Sequence, residues 1–197
     1  MFEGNYQMKQ LILKNGVQEW RMSMKELFLV EPQERYKERF EKMVEEYRAF
    51  GEIEYFDMYK EAISDFKGYV LKLSENIKGC DGWVPTHTFW LTNMNDEILG
   101  VVRIRTSLNN EFVRKFAGHI GYDISPLSRR RGYGMTLLKL ALEKAAMINL
   151  DKVLITCDDD NIASKRIIEN NGGIFESKIL KEENKKQLRR YWITLGV

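Results

Sequence analysis

The 197-residue sequence has only two cysteines, three prolines and two histidines. Cys80 and Cys157 are its only thiols, and neither has a metal-ligand partner at useful spacing, which excludes a disulfide framework and a cysteine metal centre. Cys157 sits in an apolar run and is expected as a buried free thiol. No apolar stretch approaches the roughly 20 residues that span a bilayer, and the charged, mixed N-terminus has no signal-peptide pattern. The expected compartment is therefore a reducing cytoplasm, with no membrane partner. Neither sign of charge dominates, with 31 basic against 29 acidic side chains. No basic stripe with interleaved aromatics is present, so nucleic acid is not an expected partner. Repeats, linkers and low-complexity segments are also missing, and a chain of this length builds one domain with a substantial core.

What is present is an uneven distribution of charge. Residues 31–65 carry eleven acidic and six basic side chains, whereas 102–150 carry nine basic and three acidic. The acidic half reads as solvated helix faces. In the basic half the arginines gather at Arg129-Arg130-Arg131-Gly132-Tyr133-Gly134. An apolar, alternating run, Ile120-Gly121-Tyr122-Asp123-Ile124-Ser125-Pro126, precedes that cluster, and an amphipathic helix follows it. Strand, basic glycine loop and helix start together make a phosphate cradle. Glycines let the backbone approach the ligand, the first helical N–H groups point at it, and arginines and the helix dipole add positive potential.

A second segment follows: the β-rich Lys152–Cys157, then Asp158-Asp159-Asp160-Asn161, then a helical pattern from Ile162 to Asn170 stopped by Asn171-Gly172-Gly173. Together the two segments resemble the acetyl-CoA-binding core of the GNAT N-acetyltransferases, from about His87 to the C-terminus. The Arg129–Gly134 run fits that family's pyrophosphate loop: Gln or Arg, two variable residues, Gly, one variable residue, then Gly or Ala. The resemblance implies acetyl-CoA as co-substrate and no metal. It places the diphosphate on Arg129, Arg130, Arg131, Gly132, Tyr133, Gly134 and Met135, the pantetheine arm on Tyr122, Asp123 and Ile124, and a further pantetheine contact on Asn161.

The remaining chain supplies the frame. Leu11-Ile12-Leu13 and Val17 to Trp20 flank Lys14-Asn15-Gly16, so Met8 to Met22 reads as a hairpin. Residues 1–23 are then an accessory extension, and 24–197 a single acetyltransferase-like domain. A strand at Glu26–Val30, a helix over Pro32–Phe50 and a helix or helix pair over Asp57–Ile77 come next. Strands at Thr86–Thr92, Ile98–Leu108 and Gly118–Ile124 precede a helix over Met135–Asn149. After the second segment, Ile174–Leu180 and Gln187–Leu195 form a closing hairpin. The order β-α-α-β-β-β-α-β-α-β-β gives an α/β fold, a mixed, mostly antiparallel sheet flanked by helices.

Acetyl transfer to an amine needs a neutral nucleophile, and a primary amine with a pKa of roughly 10 is protonated at neutral pH. His119, on the fourth strand, is the candidate base, with structural bonding to backbone as the other reading; Asp123 and Asp158 are weaker candidates, Asp158 also as a helix cap. Many family members place a tyrosine seven residues after the asparagine as general acid. Here that position is Ile168, which leaves Tyr191 or water as donors. Trp83, Trp90, Trp192 and Tyr191 read as core or as acceptor-pocket walls. The expected activity is direct attack by a primary amine of a small molecule or peptide in a ternary complex. A non-catalytic acyl-CoA sensor or scaffold is the alternative, and a homodimer stays open as the assembly.

Overall fold

Apolar residues three and four apart make one stripe of a helix, and alternating residues make one face of a strand. Both patterns are realised in the computed structural model, which describes residues 26–79 and 82–196. The 1–23 extension with its Met8–Met22 hairpin, and Cys80, lie outside the described residues. Strand β1 (Leu27–Val30) leads through a short 3-10 turn to helix α1 (Lys37–Ala49). Helices α2 (Ile53–Tyr59), α3 (Glu61–Ser64) and α4 (Phe66–Glu75) follow. Strands β2 (Thr86–Asn93), β3 (Ile98–Arg105) and β4 (Ile120–Ile124) precede helix α5 (Tyr133–Met147) and strand β5 (Lys152–Asp158). Helix α6 (Ile162–Asn170) and the strands β6 (Ile174–Lys181) and β7 (Lys186–Thr194) complete the chain.

The seven strands pair in the order β1-β2-β3-β4-β5-β7-β6. Every neighbouring pair is antiparallel except β4 and β5, which are parallel and share a single register pair, Ile120 with Ile155. Two apolar layers cover the sheet. On one face Tyr36 of the 3-10 turn and Phe40, Met43, Val44 and Tyr47 of α1 pack on Trp90, Ile98 and Val101. On the other, Leu137, Leu138, Ala141 and Ala145 of α5 pack on Phe89, Leu91, Val102, Ile104 and Ile155. The period-2 alternation along β2 and β3 decides which side chain joins which layer.

Three local readings are corrected and one element is added. The Asp57–Ile77 segment forms parts of three short helices, because Asp65 leaves helical geometry and caps α4, its Oδ1 accepting the Gly68 N–H at 2.9 Å. The third strand ends at Arg105: the Thr106 N–H still bonds the Pro85 carbonyl in register at 3.0 Å, but Pro85 has no N–H to return and the ladder stops there. A five-residue π-helical turn, Val113–Ala117, stands before β4, in a stretch to which the sequence assigned no element. Asn161, and not Asp158, caps α6, its Oδ1 accepting the Ser164 N–H at 3.0 Å.

Candidate active site between the fourth and fifth strands

Because β4 and β5 separate after Ile120–Ile155, the inner edge of β4 is left without a strand partner over its last four residues. A cavity of about 610 Å³ lies there, bounded by β4, the loop after it and the first turns of α5 and α6. Tyr122, Asp123, Ile124, Arg129, Arg130, Gly132, Tyr133, Gly134, Met135 and Asn161 all line it. Arg131 does not; it lines a separate cavity on the other side of the loop.

The loop is built to receive an anion. Arg130 and Gly132 adopt left-handed backbone, with φ of 60° and 84°. A Cβ built on Gly132 meets nothing within 4 Å, so the space above it is open. Among the described residues the N–H groups of Arg130, Arg131, Gly132, Tyr133 and Gly134 have no backbone carbonyl partner, whereas those of Met135 and Thr136 bond the Gly132 carbonyl at 3.1 and 3.4 Å. Such convergent, unpaired N–H groups at a helix start favour a diphosphate. The side chain of Arg129 is engaged elsewhere. It holds Glu52 through two nitrogens, at 2.5 and 2.7 Å, and donates from Nε to the Ile124 carbonyl at 2.9 Å. Arg129 therefore ties the loop to β4 and to the start of α2.

Asp123 lies on the face of β4 covered by α1 and α2 and is almost wholly buried. Tyr47 and Tyr59 each donate to it at 2.6 Å, and Arg103 Nη1 lies at 3.2 Å. A buried carboxylate needs such a full set of donors. The consequence is a fixed β4, clamped to α1, α2 and β3 beside the cleft. Gly100 of β3 opposes this point so closely that a Cβ there would lie 2.4 Å from the Asp123 carbonyl oxygen.

His119 is not among the groups lining the cavity. It is buried just before β4, its Nδ1 accepting the Leu154 N–H at 2.9 Å and its backbone N–H donating to the Leu154 carbonyl at 2.7 Å. Burial, with Arg105 beside it, pushes its pKa down to about 4. It stitches β4 to β5 where the cleft begins. Ile168 and Tyr191 are fully buried in the core, and the Tyr191 hydroxyl donates to Glu169 at 3.2 Å. Asp158 pairs with Lys186 at 3.4 Å. Trp90 is core and Trp83 half-exposed, while Trp192 donates to Glu176; none of the three lines the cleft. Cys157 is a buried free thiol, its pKa pushed up to about 11 mainly by burial.

Sequence reasoning missed two features of the cleft. The Tyr122 hydroxyl lies 2.9 Å from Ser164 Oγ on α6, and both residues line the cavity. Burial raises the Tyr122 pKa, so the phenol keeps its proton. The signal for Ser164 was its place one helical turn after the Asn161 cap, which puts both on the cleft side of α6. Glu52 and Tyr55 on the α2 wall of the cavity carried no signal at all, because only tertiary packing brings α2 to the cleft.

The sequence model described as an acetyltransferase (GNAT) domain matches residues 31–174, most of the chain. The chain belongs to the GNAT acetyltransferases. No curated protein matches it significantly. Among solved structures, the microcin C7 self-immunity acetyltransferase MccE, in complex with acetyl-CoA and AMP, is similar at a TM-score of 0.65 and 16% identity, over 87% of this chain and 94% of that one. RimL, a ribosomal L7/L12 α-N-protein acetyltransferase in complex with CoA, gives 0.65 and 17% over 87% and 95%. A spermidine N-acetyltransferase SpeG chimera from Vibrio cholerae and hSSAT gives 0.56 and 16% over 86% and 95%. At these identities the likeness is one of fold. In this family acetyl-CoA is the co-substrate, and the open, unpaired loop before α5 suits its diphosphate. Among the described residues no group of three or more His, Cys, Asp or Glu side chains is placed to hold a metal ion. None of the described helices is long and apolar enough to cross a membrane.

Proposed function

We propose that the chain transfers the acetyl group of acetyl-CoA to a primary amine of a small molecule or peptide by direct attack in a ternary complex. The observation that carries this is the cleft itself: a helix-start loop with unpaired N–H groups opening into the gap where β4 leaves β5. Bound there, acetyl-CoA supplies an activated acyl carbon and a thiol leaving group. The loop N–H groups and Arg130 hold the diphosphate, and the free inner edge of β4 offers N–H and carbonyl groups to the pantetheine amides. The Asp123 clamp keeps that edge from moving as the acyl carbon is attacked.

The amine nitrogen forms the new bond to the acyl carbon while the carbon–sulfur bond breaks. The hydroxyl pair Tyr122–Ser164 is the proton source for the departing sulfur, because it places a hydrogen-bonded hydroxyl donor in the cleft wall. The carboxylates lining the cavity are already engaged, Asp123 by three donors and Glu52 by Arg129. The proton lost by the amine therefore passes to water at the cleft mouth, and His119 acts as a positioning residue at the strand junction. Catalysis and a non-catalytic acyl-CoA sensor are separated by following thiol release from acetyl-CoA across a panel of primary amines. Amine-dependent release supports the transferase; tight CoA binding with no release for any amine supports the sensor.

A further inference from the structure

The third arginine of the loop leads to a second site. Arg131 turns away from the cleft into a cavity of about 460 Å³ between the back of the loop, the β2–β3 turn and α1. Arg39 and Lys42 line the same cavity. They are three residues apart on α1 and so share one helix face. None of these three cations has an ion-pair or hydrogen-bond partner among the described residues, although most charged side chains nearby do. The three cations outnumber the two carboxylates of the same cavity, Glu46 and Glu97, neither of which forms an ion pair with them, and an anion relieves their mutual repulsion. Two guanidinium forks and an ammonium suit the several oxygens of a phosphate better than a single carboxylate.

Two carboxylates on the same walls refine the ligand. Glu46 accepts from Ser125, and Glu97 accepts from Asn93 Nδ2 at 2.7 Å, each with accepting capacity left over. They disfavour a bare polyanion and favour a ligand whose remainder carries hydrogen-bond donors. We propose that this cavity binds a small phosphomonoester with hydroxyl or amine donors, a sugar phosphate or nucleotide, at a site distinct from the acetyl-CoA cleft. The loop is the wall common to both cavities, with Ser128 and Tyr133 lining each, so occupancy of one bears on the geometry of the other.

The test keeps the cleft filled. The full-length protein, saturated with CoA, is titrated calorimetrically with ribose 5-phosphate, with inorganic phosphate and with ribose. The expected result is binding of ribose 5-phosphate, weaker binding of phosphate and none of ribose. Replacing Arg39 and Lys42 together by glutamine should weaken ribose 5-phosphate by roughly a hundredfold, about tenfold per lost charge contact, and leave CoA affinity within about twofold. Both side chains are exposed, so the variant folds; single variants serve as intermediates. No binding of either phosphate, or binding that the double variant leaves unchanged, overturns the proposal. A double variant that weakens CoA but not dephospho-CoA also overturns it, because the cavity then serves the 3′-phosphate of CoA itself. All these readings are of binding, so they stand whether or not the chain turns over acetyl-CoA.

Discussion

His119 offers the sharpest physical test, because the sequence leaves it two duties, base or backbone-bonded structural residue, and its bonds to Leu154 favour the second. Its Nδ1 accepts a backbone N–H and its ring is buried, so protonation breaks a bond and places a charge beside Arg105. The folded-state pKa falls from 6.5 to about 4. Between those values the unfolded chain binds a proton that the folded chain refuses. The stabilisation is therefore complete above pH 6.5 and is lost as pH falls towards 4. Linkage puts the loss at about 2 kcal/mol by pH 5 and about 3 kcal/mol at the acid limit. His119→Asn keeps an acceptor for the Leu154 N–H but cannot titrate. Urea unfolding of both proteins at pH 8 and pH 5 isolates the term, since other titrating groups are common to the two. The wild type should lose about 2 kcal/mol more than the variant over that interval. Equal losses would refute the stitch. Turnover gives the second arm: kcat of His119→Asn at pH 8 should stay within a few-fold of wild type. A fall of roughly a hundredfold with CoA affinity intact would make His119 the base and overturn the proton path through water.

Gly132→Val should abolish CoA binding in calorimetry and lower stability by about 1–2 kcal/mol, because a β-branched residue is strained at φ of 84° and its side chain occupies the cradle; unaltered affinity would remove the loop from the site. Ser164→Ala and Tyr122→Phe should each reduce kcat about tenfold to a hundredfold with little change in the KM for acetyl-CoA, and the double variant should be scarcely worse than the poorer single, as expected of groups acting as a unit. Wild-type kcat in both singles would exclude the pair as proton source. Gly100→Ala should lower the unfolding free energy by about 1–3 kcal/mol and depress kcat, since its Cβ presses on the Asp123 carbonyl oxygen and moves β4; a neutral effect in denaturant titration would show that β4 is free to yield.

Some of this chain follows from local rules that need no partner. The stripe Tyr36, Phe40, Met43, Val44 and Tyr47 has helical spacing whatever packs on it, and all five are buried on one face of the sheet. Asn171-Gly172-Gly173 stops α6 at Asn170 as a local signal should. The loop Arg129–Gly134 could be placed for the same reason: left-handed backbone at Gly132 and a following helix start are properties of six neighbouring residues. Other features depend on which strand lies beside which. The parallel contact of β4 with β5 brings His119 to Leu154 and ends after one register pair, and that separation is what opens the cleft. Asp123 reads as a pantetheine-strand residue and a weaker base candidate until Tyr47, Tyr59 and Arg103 converge on it from two helices and a neighbouring strand. Arg129, Arg130 and Arg131 are identical in the sequence, yet one holds Glu52, one faces the cleft and one lines a second cavity. Backbone conformation is set within a few residues, but the partner of a charge is set by the fold, and it decides what each charge can do.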